Sequence, residues 1–180
     1  TTGPLYRSQP DFVILAARLE EVVPDLIGRF VSLSPDDINA RIVGIEQRMD
    51  KLLDGLRQST NATILVFDFP DPVRLAAGLA DSTLTCPQVS AIRLANDRVA
   101  KLCHDQSDVH FFDLSSLVRQ LGTSDWYDDK LWYMGRIPFT AKAQLMTGIH
   151  LARYIRAASF PPAKCLVVDL DNTLWGGVLG

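Results

Sequence analysis

Four apolar runs constrain the fold most: Asp11 to Ala17 (DFVILAA), Thr63 to Phe67 (TILVF), Val109 to Leu114 (VHFFDL) and Cys165 to Val168 (CLVV). None alternates polar with apolar, as a strand with one wet face does. Near-continuous apolar strands belong to parallel sheets covered on both sides. The segments between them read as helices. Ser34 precedes Pro35, Asp36 and Asp37, an N-cap followed by proline and acids in the first turn. Ile38, Ile42, Ile45, Met49, Leu52, Leu53 and Leu56 then recur three and four apart, which predicts an amphipathic helix over 34–57 with a solvated charged face. Val89 to Cys103 and Thr140 to Ala158 show the same period, and Ser115 to Leu121 is a short helix closed by Gly122. Trp126 to Phe139, bounded by Gly135 and Pro138, reads as an aromatic loop. Alternating strands and helices give an α/β fold with a parallel sheet in three layers. Pro161-Pro162 marks a boundary between an α/β domain over 1–160 and a second unit opening at 161–180.

Composition narrows the function classes. The chain of 180 residues is 47% hydrophobic and 22% charged, with a formal net charge of −3. That balance is globular, and it lacks the basic excess of a nucleic-acid binder or a membrane-surface protein. The apolar runs fall far short of a membrane span, and no secretory signal is visible. Three scattered cysteines, Cys86, Cys103 and Cys165, make no disulfide framework, so a reducing, cytoplasmic home is expected. His104, His110 and His150 have no metal-ligand spacing.

The densest chemistry lies at residues 164–180, KCLVVDLDNTLWGGVLG. An apolar strand here delivers a D-x-D-x-T loop, and ligands of parallel sheets collect at the carboxyl ends of strands. Side chains two apart on a strand end point the same way, so Asp169 and Asp171 face one ligand and Leu170 turns away. Two such carboxylates repel unless a hard cation lies beside them, and Mg²⁺ takes one or two carboxylates plus phosphate oxygens. Asp169 then suits attack on phosphorus and Asp171 proton transfer. Backbone N–H groups over Leu170, Asp171, Asn172 and Thr173, with the Thr173 hydroxyl, suit a phosphate cradle. An Asp pair of this spacing can also merely cap a helix.

DLDNTLWGGVLG resembles the first motif of the haloacid dehalogenase superfamily and, more narrowly, the FkbH-like glyceryl transferases/phosphatases of polyketide biosynthesis. Asp129 to Thr140 (DKLWYMGRIPFT) is similar to the region preceding the phosphatase in that family. The resemblance implies a fold with an SGNH-hydrolase-like (flavodoxin-like) α/β domain followed by the first strand of a haloacid dehalogenase-type domain. It implies an enzyme that takes the glyceryl unit of 1,3-bisphosphoglycerate, removes phosphate and loads the phosphopantetheine thiol of an acyl carrier protein. Asp169 would be nucleophile and Mg²⁺ ligand, Asp171 acid/base with its backbone carbonyl also on the metal, and Thr173 part of the phosphate loop. The family's remaining Ser/Thr, Lys and acidic pair are expected C-terminal to Gly180, and the hydrolase serine before residue 1. Where such hydrolases carry D-x-x-H, this chain has Asp128-Asp129-Lys130-Leu131-Trp132, so a Ser-His-Asp triad is not expected.

Two further readings remain open on the residues alone: a non-catalytic module docking a carrier protein, and a small-molecule phosphatase of other specificity. Cys165 is expected in the core. The aromatic stretch 125–133 is either a lid closing the core or a partner-facing loop. Arg136 either meets a phosphate or pantetheine arm or pairs with an Asp, and Asp68 and Asp71 either line a cleft or serve turns.

Overall fold

The computed structural model describes residues 8–160 and 165. Its described strands, β1 (Phe12–Leu15), β2 (Thr63–Phe67) and β3 (Val109–Phe112), form a parallel sheet in the order β1-β2-β3. Helix α1 (Leu19–Val22), α2 (Asp25–Gly28), a 3₁₀ turn over Phe30–Ser32 and the long α3 (Pro35–Arg57) connect β1 to β2. A 3₁₀ segment over Gly78–Thr83 and α4 (Gln88–His104) connect β2 to β3. After β3 come α5 (Leu114–Leu121), α6 (Thr123–Trp126), α7 (Asp129–Gly135) and α8 (Ala141–Ser159). Thr1–Thr147 form one compact unit and Gly148–Gly180 a second, the division falling within α8. The predicted fourth strand, and with it the opening of a haloacid dehalogenase-type domain, lies outside the described residues.

Sequential parallel order with right-handed crossovers places both connecting helices on the same face of the sheet. The core follows that rule. Val13, Ile64 and Val109 are lateral neighbours in register, and they form one cluster with Ile42, Ile45 and Leu53 of α3 and Ile92, Ala95 and Val99 of α4. Leu15, Val66 and Phe111 form the next row on that face.

The opposite face departs from expectation. Its middle row is Ile14, Leu65 and His110: Leu65 is fully buried, Ile14 is 42% exposed and His110 is exposed. Burial on both faces, predicted for every strand, therefore holds for the central β2 and not for the flanking strands. β1 is also shorter than the apolar run that announced it, because Ala16 and Ala17 already belong to the turn leading into α1.

The 34–57 helix begins as predicted. The Ser34 side chain accepts the Asp37 N–H at 3.1 Å and the Asp37 carboxylate accepts the Ser34 N–H at 3.3 Å, a reciprocal capping box. Ser34→Ala removes one half of it and should cost about 1 kcal/mol in a urea melt. At the other end the Arg57 guanidinium donates to the carbonyls of Ala62, Ser107 and Asp108, tying the entrances of β2 and β3 to the end of α3. Gly122 closes α5 at φ +88°, a conformation that favours glycine.

The stretch Trp126 to Phe139 is not a loop, as its proline, glycine and aromatics implied. It contains the end of α6 and all of α7. Asp128 is the reason for α7: its side chain accepts the N–H groups of Lys130 and Leu131, and Arg136 ends the helix in the left-handed conformation. Trp126 is wholly buried against the edge of Phe139, ring centroids 5.3 Å apart, so this part of the segment closes the core. Cys165, expected in the core, is exposed.

Candidate functional site

The carboxyl ends of the three strands open into a cleft of about 210 Å³. Ala16, Ala17 and Arg18 enter it after β1, Asp68 to Val73 after β2, and Leu114 after β3; Tyr127, Asp128, Asp129, Trp132, Pro138 and Phe139 supply the outer wall. This is where the topology of a parallel sheet places a ligand site.

The loop after β2 is held from both sides. Asn96 of α4 accepts the Phe69 N–H and donates to the Phe69 carbonyl, both at 2.9 Å, while Pro70 and Pro72 restrict the chain that follows. Beyond it, the buried Asp81 accepts the N–H groups of Gln88 and Val89 and so caps α4 from a distance. The fully buried Gln88 accepts the Ala76 N–H and donates to the Leu26 carbonyl, joining the β2 loop to α2.

Asp68 sits at the floor, 5% exposed, with both carboxylate oxygens accepting the Ser115 N–H at the start of α5. Burial pushes its pKa up, and the Ser115 and Leu114 hydrogen bonds only partly oppose this. Asp71, at the rim, is also raised by burial, against the pull of Arg93 and Arg119 and with a contribution from Asp81. The Tyr127 phenol is pushed up to about 12, first by burial and then by the Glu20 carboxylate, with Arg18 opposing and Asp68 and Asp71 adding. Arg18 is paired with Glu20 at 2.8 Å, and its guanidinium lies 3.9 Å from the centre of the Trp132 ring; that of Arg136 lies 4.8 Å from it.

Asp68 gives a measurable stability signature. A carboxyl with a raised folded pKa binds more protons folded than unfolded, so its cost to stability starts near the ordinary value of 3.8 and grows as pH rises through the folded value. Asn keeps an acceptor for Ser115. Asp68→Asn should therefore gain stability over the wild type between pH 4 and pH 7 in paired urea melts, with the two converging at the acid end.

Asp68 and Asp71, read from sequence as cleft or turn residues, are brought together here. The Arg136 guanidinium lies over the Trp132 ring, and no ion pair of Arg136 with an Asp is seen among the described residues. The aromatic segment divides: Trp126 closes the core, Tyr127 and Trp132 line the cleft, and Tyr133 is 81% exposed. Arg18 and Glu20 were missed. Their signal was a charged pair, Arg18-Leu19-Glu20, immediately after an apolar strand. Asp169, Leu170, Asp171, Asn172 and Thr173 lie outside the described residues. Among the described residues, no group of three or more His, Cys, Asp or Glu side chains could hold a metal ion.

The fold has a solved counterpart. The crystal structure of the N-terminal part of the protein BF1531 from Bacteroides fragilis, containing a phosphatase domain complexed with Mg, matches 98% of this chain with a TM-score of 0.67 at 19% identity. The chain spans 45% of the length of that structure. No protein-family model matches the chain, and no curated protein matches it by sequence. The α/β arrangement is thus shared with a phosphatase-containing protein. No described helix is long and apolar enough to cross a membrane.

Proposed function

We propose that this chain is part of a Mg²⁺-dependent phosphatase of the haloacid dehalogenase type. The observation that carries the reading is the terminal strand-and-loop pattern, four residues Cys165 to Val168 running into Asp169-Leu170-Asp171-Asn172-Thr173. The fold it shares with a Mg-bound phosphatase-containing protein supports it.

The donor set fits the metal: a carboxylate from Asp169 and the backbone carbonyl of Asp171 are hard oxygen ligands of the kind Mg²⁺ accepts alongside phosphate, and the Asp171 side chain stays free to carry a proton. Asp169 and Asp171 would hold it, and bound there it would offset the charge of the phosphoryl oxygens. The side chains do the rest. The Asp169 carboxylate attacks phosphorus and the bond to the leaving oxygen breaks, with Asp171 donating a proton to that oxygen. Asp171, now a base, takes a proton from the water that hydrolyses the aspartyl-phosphate. The loop N–H groups and Thr173 hold the phosphate during both steps.

The narrower reading is an FkbH-like glyceryl transferase, with 1,3-bisphosphoglycerate as donor and the phosphopantetheine thiol of an acyl carrier protein as acceptor. It rests on the resemblance of DNTLWGGVLG and of the Asp129 to Thr140 stretch. The test is to incubate the full-length protein, of which this chain is proposed to be a part, with Mg²⁺, 1,3-bisphosphoglycerate and a pantetheinylated carrier, and to weigh the carrier. A mass gain equal to a glyceryl thioester supports the narrow reading. Phosphate release with no gain in carrier mass leaves a phosphatase of other specificity, and absence of both rejects the proposal.

A further inference from the structure

The chain between α6 and α8 leaves the body of the fold and returns to it through one neck. The Trp126 carbonyl accepts the Thr140 N–H at 3.0 Å, and the Thr140 hydroxyl donates to the Asp125 carbonyl at 2.6 Å. Lys142 pairs with Asp125 at 2.6 Å, and the Trp126 ring packs against Phe139. Both sides of the neck are anchored, since Trp126 and Ala143 are fully buried.

Residues 128–138, which the neck closes off, are the opposite case. None of them is buried, and Tyr133 and Met134 stand largely in solvent. A surface segment of this length whose ends meet is an Ω-loop, which is held together by its own contacts. Here these are the bonds of α7: the Asp128 carbonyl accepts the Trp132 N–H at 3.1 Å, and the Trp132 carbonyl accepts the Arg136 N–H at 2.9 Å. Among the described residues, no hydrogen bond joins 128–138 to the rest of the chain.

Two cations reach the segment from the body. Arg74 lies 3.9 Å from Asp129, but both side chains are exposed, and such a pair contributes little in water. Arg18 is better placed. Glu20 holds its guanidinium at 2.8 Å, and the guanidinium lies 3.9 Å from the centre of the Trp132 ring. Arg18 belongs to the turn after β1, so this stacking joins two walls of the cleft. Segments that bury little apolar surface open at a fraction of the free energy of global unfolding.

We propose that residues 128–138 are a flap that lifts off the cleft as one unit while the neck and the sheet stay folded, and that the stacking of Arg18 on Trp132 is its latch. Opening exposes the cleft, with Asp68 at its floor, to solvent. The 7 residues of α7 are too few to remain helical alone, so the helix melts as it lifts and its amides report the opening. Neither flap nor latch depends on the phosphatase reading.

Native-state hydrogen exchange on the ¹⁵N-labelled full chain, at low urea concentrations, is the test. The main-chain amides of Trp132 and Arg136 should be protected about 100-fold less than those of Thr140 at the neck and Ile64 in β2, and their exchange should respond little to urea. Arg18→Gln should lower protection at Trp132 and Arg136 by about threefold or more and leave Ile64 unchanged. Flap amides that exchange in step with Thr140 and Ile64 would overturn the flap. Protection at Trp132 and Arg136 that is unchanged in Arg18→Gln, or that falls equally at Ile64, would overturn the latch.

Discussion

Asp169→Asn is expected to lower phosphate release by on the order of 10⁴-fold or more in a preparation of this protein that turns over phosphate, because the amide has no anionic oxygen to attack phosphorus. The same change removes a charged ligand, so Mg²⁺ affinity should fall with it. Asp171→Asn should separate the two roles of the pair. It leaves the attacking carboxylate in place but takes away the proton for the leaving oxygen. Turnover should then drop by about 10²- to 10⁴-fold, and substrates with a good leaving group such as an aryl phosphate should suffer less than alkyl phosphates. Equal losses for both substrate types would remove Asp171 from the acid role.

The second large effect is on stability. Trp126 is fully buried at the junction of α6 with the segment that leads into α8. Its carbonyl accepts the Thr140 N–H at 3.0 Å, the Thr140 hydroxyl donates to the Asp125 carbonyl at 2.6 Å, and its ring packs on Phe139. Trp126→Ala deletes the largest of the fully buried side chains and should cost about 3–5 kcal/mol in an equilibrium melt. Trp126→Phe should cost clearly less. It keeps much of the buried area, and it removes an indole N–H that is buried without a hydrogen-bond partner among the described residues. Losses of equal size in the two variants would show that the indole nitrogen, not the volume, is what the core requires.

Local chemistry made much of this architecture legible. Ser34-Pro35-Asp36-Asp37 specified the start of α3 to the residue, because capping is settled within one turn. TILVF announced β2, the one described strand enclosed on both faces, by the composition that enclosure demands. Ile14 shows the limit of that signal. It is as apolar as its neighbours, and its 42% exposure follows from the position of β1 in the strand order, which periodicity does not encode. α7 was hidden for a different reason. Its aromatics and bounding glycine and proline look like loop composition, and the Asp128 cap that starts it resembles turn chemistry until the helix is seen.

The cleft was half visible. Asp68 and Asp71 drew attention because they end a buried strand, but their convergence with Glu20 and Tyr127 joins loops far apart in sequence. Asp81 and Gln88 illustrate the same gap. Asp81 accepts the Gln88 N–H, and the Gln88 side chain fixes the loop between β2 and α4 through bonds to Leu26 and Ala76 that no local pattern announces.

The central claim is that Asp169 is the side chain that takes the phosphoryl group. The most direct measurement quenches the protein during turnover of a phosphate ester with Mg²⁺, reduces the acyl phosphate with borohydride and maps the modified peptide by mass. The account predicts homoserine at position 169 and nowhere else. Modification at another residue, or ongoing phosphate release with Asp169 unmodified, would contradict it.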